Sequence, residues 1–218
     1  MDQTVQAAKL SDPRISTETT PSLVACWSCK GPVAEGLTFC KACKAVQPPG
    51  QVNHFQRLGI DVAFDLDEAT VDRRYFDLQR LLHPDRFATR TPKEKALSQM
   101  QATSLNEAYE SLKDPVTRAD YLLQVKGTEV LAAGCHLVND PALLMEAMER
   151  REALAEAETR AQVIEIAKAT RADMKRCEEE LAVVFADENY EAACKLTTRF
   201  KYLRKLADEV RARKAHVK

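Results

Sequence analysis

Asp77-Leu78-Gln79-Arg80-Leu81-Leu82-His83-Pro84-Asp85-Arg86-Phe87 is the stretch from which the fold can be read. It closes a helical pattern: Val71, Tyr75, Leu78 and Leu82 recur at i, i+4, i+7 and i+11, one face of a helix that begins near Asp67 and Glu68. Pro84 ends that helix, because its ring drives His83 toward an extended backbone, and Asp85 can open a turn by bonding its own main chain. A second helix follows Pro92, with Leu105, Ala108, Tyr109 and Leu112 on one face, and stops at Asp114-Pro115. The spacing therefore predicts an antiparallel helical hairpin with His83-Pro84-Asp85 in its loop. Short helices at His54 to Leu58 and Val116 to Leu123 complete a small all-α domain. Physics alone accounts for the tripeptide as a helix stop. Its setting is also compatible with a further role: Arg73 and Arg80 stand one seven-residue step apart on the helix before it, and Leu105-Asn106-Glu107-Ala108-Tyr109-Glu110 lies on the helix after it.

Beyond the hairpin, Gly127, Gly134 and Asn139-Asp140-Pro141 mark a break over 126–140. Three longer helices follow, roughly 141–157, 160–187 and 189–213, with Asp187-Glu188-Asn189 as the turn between the last two. Three such helices make a bundle over 141–218. Ahead of the hairpin, Gln47-Pro48-Pro49-Gly50 separates a cysteine-rich segment, 25–50, from a helical domain spanning 52–125. Residues 1–24 are rich in Ser, Thr and Pro, lack aromatics and are expected to form a disordered leader.

Cys26-x2-Cys29 and Cys40-x2-Cys43 are two knuckles ten residues apart. Each offers two thiolates to one ion, and together they close the tetrahedral four-thiolate shell that structural zinc takes. A segment this short builds no core of its own, so the metal would supply its folding energy. Lys30, Lys41 and Lys44 beside the ligands would temper the surplus negative charge. Zinc is preferred; a rubredoxin-like iron centre and an unmetallated redox pair are the competing readings.

Composition narrows the function classes. The chain of 218 residues carries 32 Lys+Arg against 33 Asp+Glu, a net charge of -1, which argues against a mainly electrostatic nucleic-acid binder. Six glycines leave little material for phosphate-cradling loops. No run approaches the roughly 20 apolar residues that span a bilayer. The N-terminal segment lacks a secretory pattern and, with Asp2, Asp12 and Glu18 against Lys9 and Arg14, matches an Arg-rich presequence poorly. Seven cysteines, four of them in tight pairs, suit a metal site in a reducing compartment better than a disulfide framework. Cys135-His136, Cys177 and Cys194 are scattered without ligand spacing and take no role, and neither His54 nor His216 has a partner for acid-base chemistry.

From Asn53-His54-Phe55 through His83-Pro84-Asp85 to Arg118-Ala119-Asp120-Tyr121-Leu122-Leu123, the chain resembles the J-domain of HscB-type co-chaperones of iron-sulfur cluster biogenesis. Asp77-Leu78-Gln79-Arg80, Leu144-Met145-Glu146 and Arg151-Glu152-Ala153-Leu154 carry the resemblance to HscB in particular, and Cys26-Trp27-Ser28-Cys29 with Gln47-Pro48-Pro49 resembles the metal-binding extension of some members. The resemblance covers about 190 residues, all but the leader. It implies that His83, Pro84 and Asp85 contact a DnaK/HscA-type ATPase and promote its ATP hydrolysis, with Arg74, Arg80 and Arg86 docking on an acidic face of that partner. Arginines along one side of a helix suit that task, since each can make charge-assisted bonds to carboxylates.

The first bundle helix supports a docking role independently. At 100° per residue, Leu143, Ala147, Leu144, Met148 and Met145 span an apolar arc about 200° wide, against the stripe of somewhat more than 100° that a bundle needs. Leu143, Ala147 and Leu154 can face the core while Leu144, Met145 and Met148 stay partly exposed, bordered by Glu149 and Glu152. A helix buried on two sides is the alternative. The resemblance assigns this face, with Tyr202 on the last helix, to an IscU-type iron-sulfur scaffold.

The expected architecture is thus all-α and L-shaped: a zinc knuckle module, a J-domain hairpin and a C-terminal three-helix bundle. The expected role is that of a co-chaperone and ATPase activator, not itself an enzyme, with no nucleic-acid or membrane partner and with homodimer formation left open. The competing assignments are a J-protein with another client, in folding or import, a zinc-ribbon nucleic-acid or regulatory protein, and a redox protein using the four cysteines. A bacterial cytoplasm is the expected compartment, with the mitochondrial matrix as the alternative.

Overall fold

A computed structural model describes residues 22–126 and 140–216 of the chain. Residues 1–21, most of the break at 126–140, and with it Cys135 and His136, lie outside the described residues.

The cysteine segment folds as two short strands and two knuckles. Strand β1 (Leu23–Ala25) pairs antiparallel with β2 (Pro32–Ala34), with Val24 opposite Val33. Each knuckle tightens on a lysine in the left-handed region, Lys30 at φ 62° and Lys44 at φ 61°, whose N–H groups return to the carbonyls of Cys26 and Cys40. Strand β1 takes in Leu23 and Val24, two residues that composition alone placed in the leader. Just after β2, Gly36 (φ 82°) packs so closely on Val52 that a Cβ there would stand 2.5 Å from its Cγ1, so a side chain would be strained and would push the two segments apart.

Four helices form the J-domain. Helix α1 (His54–Leu58) starts on an Asn53/Gln56 capping box and ends at Gly59 in the left-handed region. Helix α2 (Glu68–Leu82) starts on Asp67, whose carboxylate accepts from the N–H groups of Ala69 and Thr70. It stops at His83, which takes ψ 128° ahead of Pro84, and a single 3-10 turn (Pro84–Phe87) follows. Helix α3 (Pro92–Lys113) begins with a Thr91/Glu94 capping box and a proline in its first turn, then runs back along α2. Asp114 breaks it and accepts from Thr117 N–H in the first turn of α4 (Pro115–Lys126).

The bundle consists of α5 (Pro141–Glu156), α6 (Arg160–Ala186) and α7 (Tyr190–His216). Helices α6 and α7 are each 27 residues, about 40 Å long, and pack along their lengths. Their near end shares a core with the J-domain: Cys177, Leu181, Phe185, Phe200 and Leu203 join Phe55, Leu58, Leu112, Leu122 and Leu123. Their far end closes separately on Leu154, Val163, Leu206 and Val210. One arm therefore projects away from the other, which makes the L. Ion pairs lock the elbow: Arg204 grips Asp114 at 2.6 Å, Lys201 reaches Asp120, and the buried Arg118 lies between Glu178 and the ring of Phe64. No helix among the described residues is long and apolar enough to cross a membrane.

Candidate functional site

The tripeptide stands at the exposed tip of the hairpin. His83 Nδ1 accepts from Asp85 N–H at 3.3 Å and lies 3.5 Å from an Asp85 carboxylate oxygen, so the two side chains form one compact unit. Arg86 donates to the Arg80 carbonyl at 3.2 Å, which satisfies an end of α2 and places both arginines beside the tripeptide. Arg74 lies further back on α2. At 100° per residue Phe76, Arg80, Arg73, Asp77, Leu81 and Arg74 span an arc of about 160°, all exposed, opposite the Val71/Leu82 face that enters the core. Phe76 and Leu81 extend the basic face with exposed apolar surface, which sequence reasoning did not single out.

What holds this tip is hidden on α3. Ser98, wholly buried, donates to the Leu82 carbonyl at 2.7 Å, and Gln101 one turn later donates to the Gln47 carbonyl at 2.9 Å. Their signal in the sequence is slight: two polar residues on the same helical face as Leu97, Leu105 and Leu112.

On the bundle, Leu144 is 42% exposed and Met145 and Met148 are each 62% exposed, while Leu154 is buried. The surplus apolar arc of α5 is thus a free face, and the alternative of a helix buried on two sides does not hold. Glu149 and Glu152 are exposed beside it. Tyr202 of α7 is half-buried and lines a groove against α5 with Leu143, Ala147 and Leu206. The helix is held in place by charge. Glu146 of α5 accepts from Arg199 of α7 at 2.9 Å, and Arg150 of α5 reaches Asp173 of α6 at 2.6 Å. Arg199 holds the Glu146 carboxyl below the usual glutamate range. Neither of these ties was legible beforehand, because each spans elements far apart in the chain.

The four cysteines meet. Their sulfurs all lie within 4.8 Å of one another, with Cys26–Cys43 and Cys29–Cys40 each at 3.7 Å. A tetrahedron with metal–sulfur bonds of about 2.3 Å has edges of about 3.8 Å, which the Cys26–Cys43 and Cys29–Cys40 pairs already match, so the residues present fit a four-thiolate ion. Burial pushes the Cys26 thiol up, but the N–H groups of Cys29 and Ser28 and the Cys43 sulfur bring it down to about 6. Cys29 goes the other way: the Gly31 N–H lowers it, yet the Cys43 and Cys40 sulfurs and burial push it up to about 11. Four sulfurs this close cannot all ionise without a cation between them. Gln47 Nε2 adds a donor to Cys26 Sγ at 3.4 Å. Elsewhere, Cys177 is a core residue, its thiol pushed up to about 12 by burial and bonded to the Leu196 carbonyl.

Two family models match. The DnaJ domain matches residues 53–121, and the HSCB C-terminal oligomerisation domain matches residues 139–211. The iron-sulfur cluster co-chaperone protein HscB of Homo sapiens is 33% identical over 193 residues, 87% of this chain and 82% of that protein. The crystal structure of human co-chaperone protein HscB aligns with a TM-score of 0.79 at 32% identity, over 87% of this chain and 98% of that one. Chaperone HscB from Vibrio cholerae aligns with a TM-score of 0.66, also at 32% identity, over 74% of this chain and 96% of its own. With a J-domain tip, a matching bundle and these relatives along most of its length, the chain belongs to the HscB family of iron-sulfur cluster co-chaperones.

Proposed function

We propose that this chain is a two-armed adaptor that delivers an IscU-type iron-sulfur scaffold to a DnaK/HscA-type ATPase and stimulates that partner's ATP hydrolysis. The chain itself performs no chemistry. The observation that carries this is that the chain exposes two distinct faces on different elements: the tripeptide tip of α2 with its arginines, and the Leu144/Met145/Met148 face of α5. His83, Pro84 and Asp85 engage the ATPase, and Arg74, Arg80 and Arg86 pair with its carboxylates. Binding better to the hydrolysis-competent state than to the resting one is sufficient to shift the ATPase toward hydrolysis. Leu144, Met145, Met148 and Tyr202 bury against the scaffold, with Glu149 and Glu152 as a charged rim that sets register.

Cys26, Cys29, Cys40 and Cys43 hold zinc in this proposal. The ion supplies a cross-link and no reactive position, because all four sites of a tetrahedron are taken by sulfur. The compartment that suits unpaired thiolates is a reducing one, a bacterial cytoplasm, or the mitochondrial matrix if the chain is eukaryotic. The test of the adaptor is a three-component capture. Immobilised ATPase charged with ATP should retain scaffold only when this chain is present, and a His83→Gln chain should fail to bridge while still binding scaffold in solution. Bridging that survives His83→Gln would contradict the proposal.

A further inference from the structure

Six polar or charged side chains are buried among the described residues, and three of them, Gln47, Ser98 and Gln101, lie on one line. The line starts at a metal ligand and ends one residue before His83. Gln47 Nε2 donates to Cys26 Sγ at 3.4 Å, the Gln47 carbonyl accepts from Gln101 Nε2 at 2.9 Å, and Ser98 Oγ, on the same face of α3, donates to the Leu82 carbonyl at 2.7 Å. All three links are buried; Gln47 Nε2 keeps a second acceptor in the Ala45 carbonyl at 2.8 Å, so loss of Cys26 leaves it bonded, whereas breaking either of the other two links strands a carbonyl away from water.

The cysteine module also braces α3 on the other side of Ser98. Trp27 donates its indole N–H to the Val46 carbonyl at 2.7 Å and carries the Lys93 ammonium over its ring at 4.6 Å. Val46 itself is part of the J-domain core. Lys93 and Gln101 thus bracket the segment of α3 that holds Ser98, the first held by Trp27 inside a knuckle and the second by Gln47 just beyond one. The module's own core is only Cys26, Val33 and Cys40 with Leu37, too little to persist without its cross-link.

We propose that the four-cysteine site is a metal-dependent brace for the tripeptide loop: with a tetrahedral thiophilic ion bound, Gln47 and Gln101 hold α3 and thereby order residues 83–90; without it, the loop opens. Gln47, Gln101 and Ser98 are positioning residues in this device. Its relevance to ATPase stimulation rests on the function proposed above, but the ordering itself does not.

Hydrogen exchange on the full chain tests it. The N–H groups of Arg86, Ala88 and Arg90 bond to the carbonyls of His83, Asp85 and Phe87 and report loop order directly. Stripping the metal with a chelator under reducing conditions should accelerate exchange at these three amides by about tenfold or more, leave the far end of α6 and α7 unchanged, and be reversed by adding zinc. Gln101→Leu, with full metal content confirmed by elemental analysis, should reproduce a smaller acceleration at the same amides. Fast exchange confined to the N–H groups of Lys30 and Lys44 on stripping, with 86, 88 and 90 unchanged, overturns the brace even if Gln101→Leu fails to fold. A normal brace in a chain that does not stimulate the ATPase would instead count against the adaptor and leave the brace standing.

Discussion

Ser98 donates its hydroxyl to the carbonyl oxygen of Leu82 at 2.7 Å, in a site from which water is excluded, and so fixes the residue directly before His83. The last carbonyls of a helix have no partner within it. Here α3 supplies one for α2, and that bond pins the point at which Pro84 turns the tripeptide out of the helix.

Ser98→Ala should therefore cost about 1–3 kcal/mol, because it strands a buried carbonyl rather than merely deleting a contact. Denaturant unfolding should show a lower midpoint at unchanged slope, with metal content intact. The ATPase stimulation should fall more than stability alone accounts for at temperatures where the variant is fully folded.

Asp114 ties the J-domain to α7 through Arg204. Burial raises its carboxyl, but the Arg204 guanidinium and Thr117 outweigh this and hold it below its ordinary value of 3.8. A depressed folded-state value stabilises the fold above the ordinary value, and the stability is lost as pH falls through the folded-state value. Asp114→Asn should thus lower the thermal midpoint at pH 7, and its deficit should shrink as pH is taken below about 3.8. An equal deficit at pH 7 and pH 3 would show that the pair does not act through charge.

On the bundle, Met145→Ala with Met148→Ala, and separately Tyr202→Ala, should weaken scaffold binding by about 10- to 100-fold in calorimetry. The methionine pair should leave folding stability within about 0.5 kcal/mol, since both side chains already stand in solvent. Leu154→Ala is the contrast: buried in the far core, it should cost about 2–5 kcal/mol.

The purified protein should be colourless and hold one zinc per chain by elemental analysis, and Cys26→Ser should release it. Visible charge-transfer absorption that tracks the cysteines would instead assign the site to iron.

Much of the fold was legible because its boundaries are local chemistry. Asp67, Thr91-Pro92, Asp114-Pro115 and Asp140-Pro141 each start or stop a helix through bonds within a few residues, so α2, α3, α4 and α5 stand close to where spacing predicts them. Strands β1 and β2 were not legible: three residues are too few to display an alternating pattern, and the cysteine knuckles rather than β propensity bring them together. The two exposed faces were legible by different routes. The α5 face follows from an apolar arc too wide for one core, whereas the tripeptide and its arginines needed the family resemblance to rise above a helix stop. The residues that position the tip escaped notice because their partners lie 16 and 54 residues away, a separation no local pattern encodes.

In the proposed function, one chain couples scaffold to ATPase. The most direct test is the steady-state ATP hydrolysis rate of a cognate DnaK/HscA-type chaperone with this protein, with and without IscU-type scaffold, for wild type and His83→Gln. Stimulation that requires His83 and rises with scaffold by more than the sum of the separate effects is the predicted result. Stimulation indifferent to scaffold would contradict the adaptor, and none at all from folded, metal-loaded protein would contradict the assignment of the tripeptide itself.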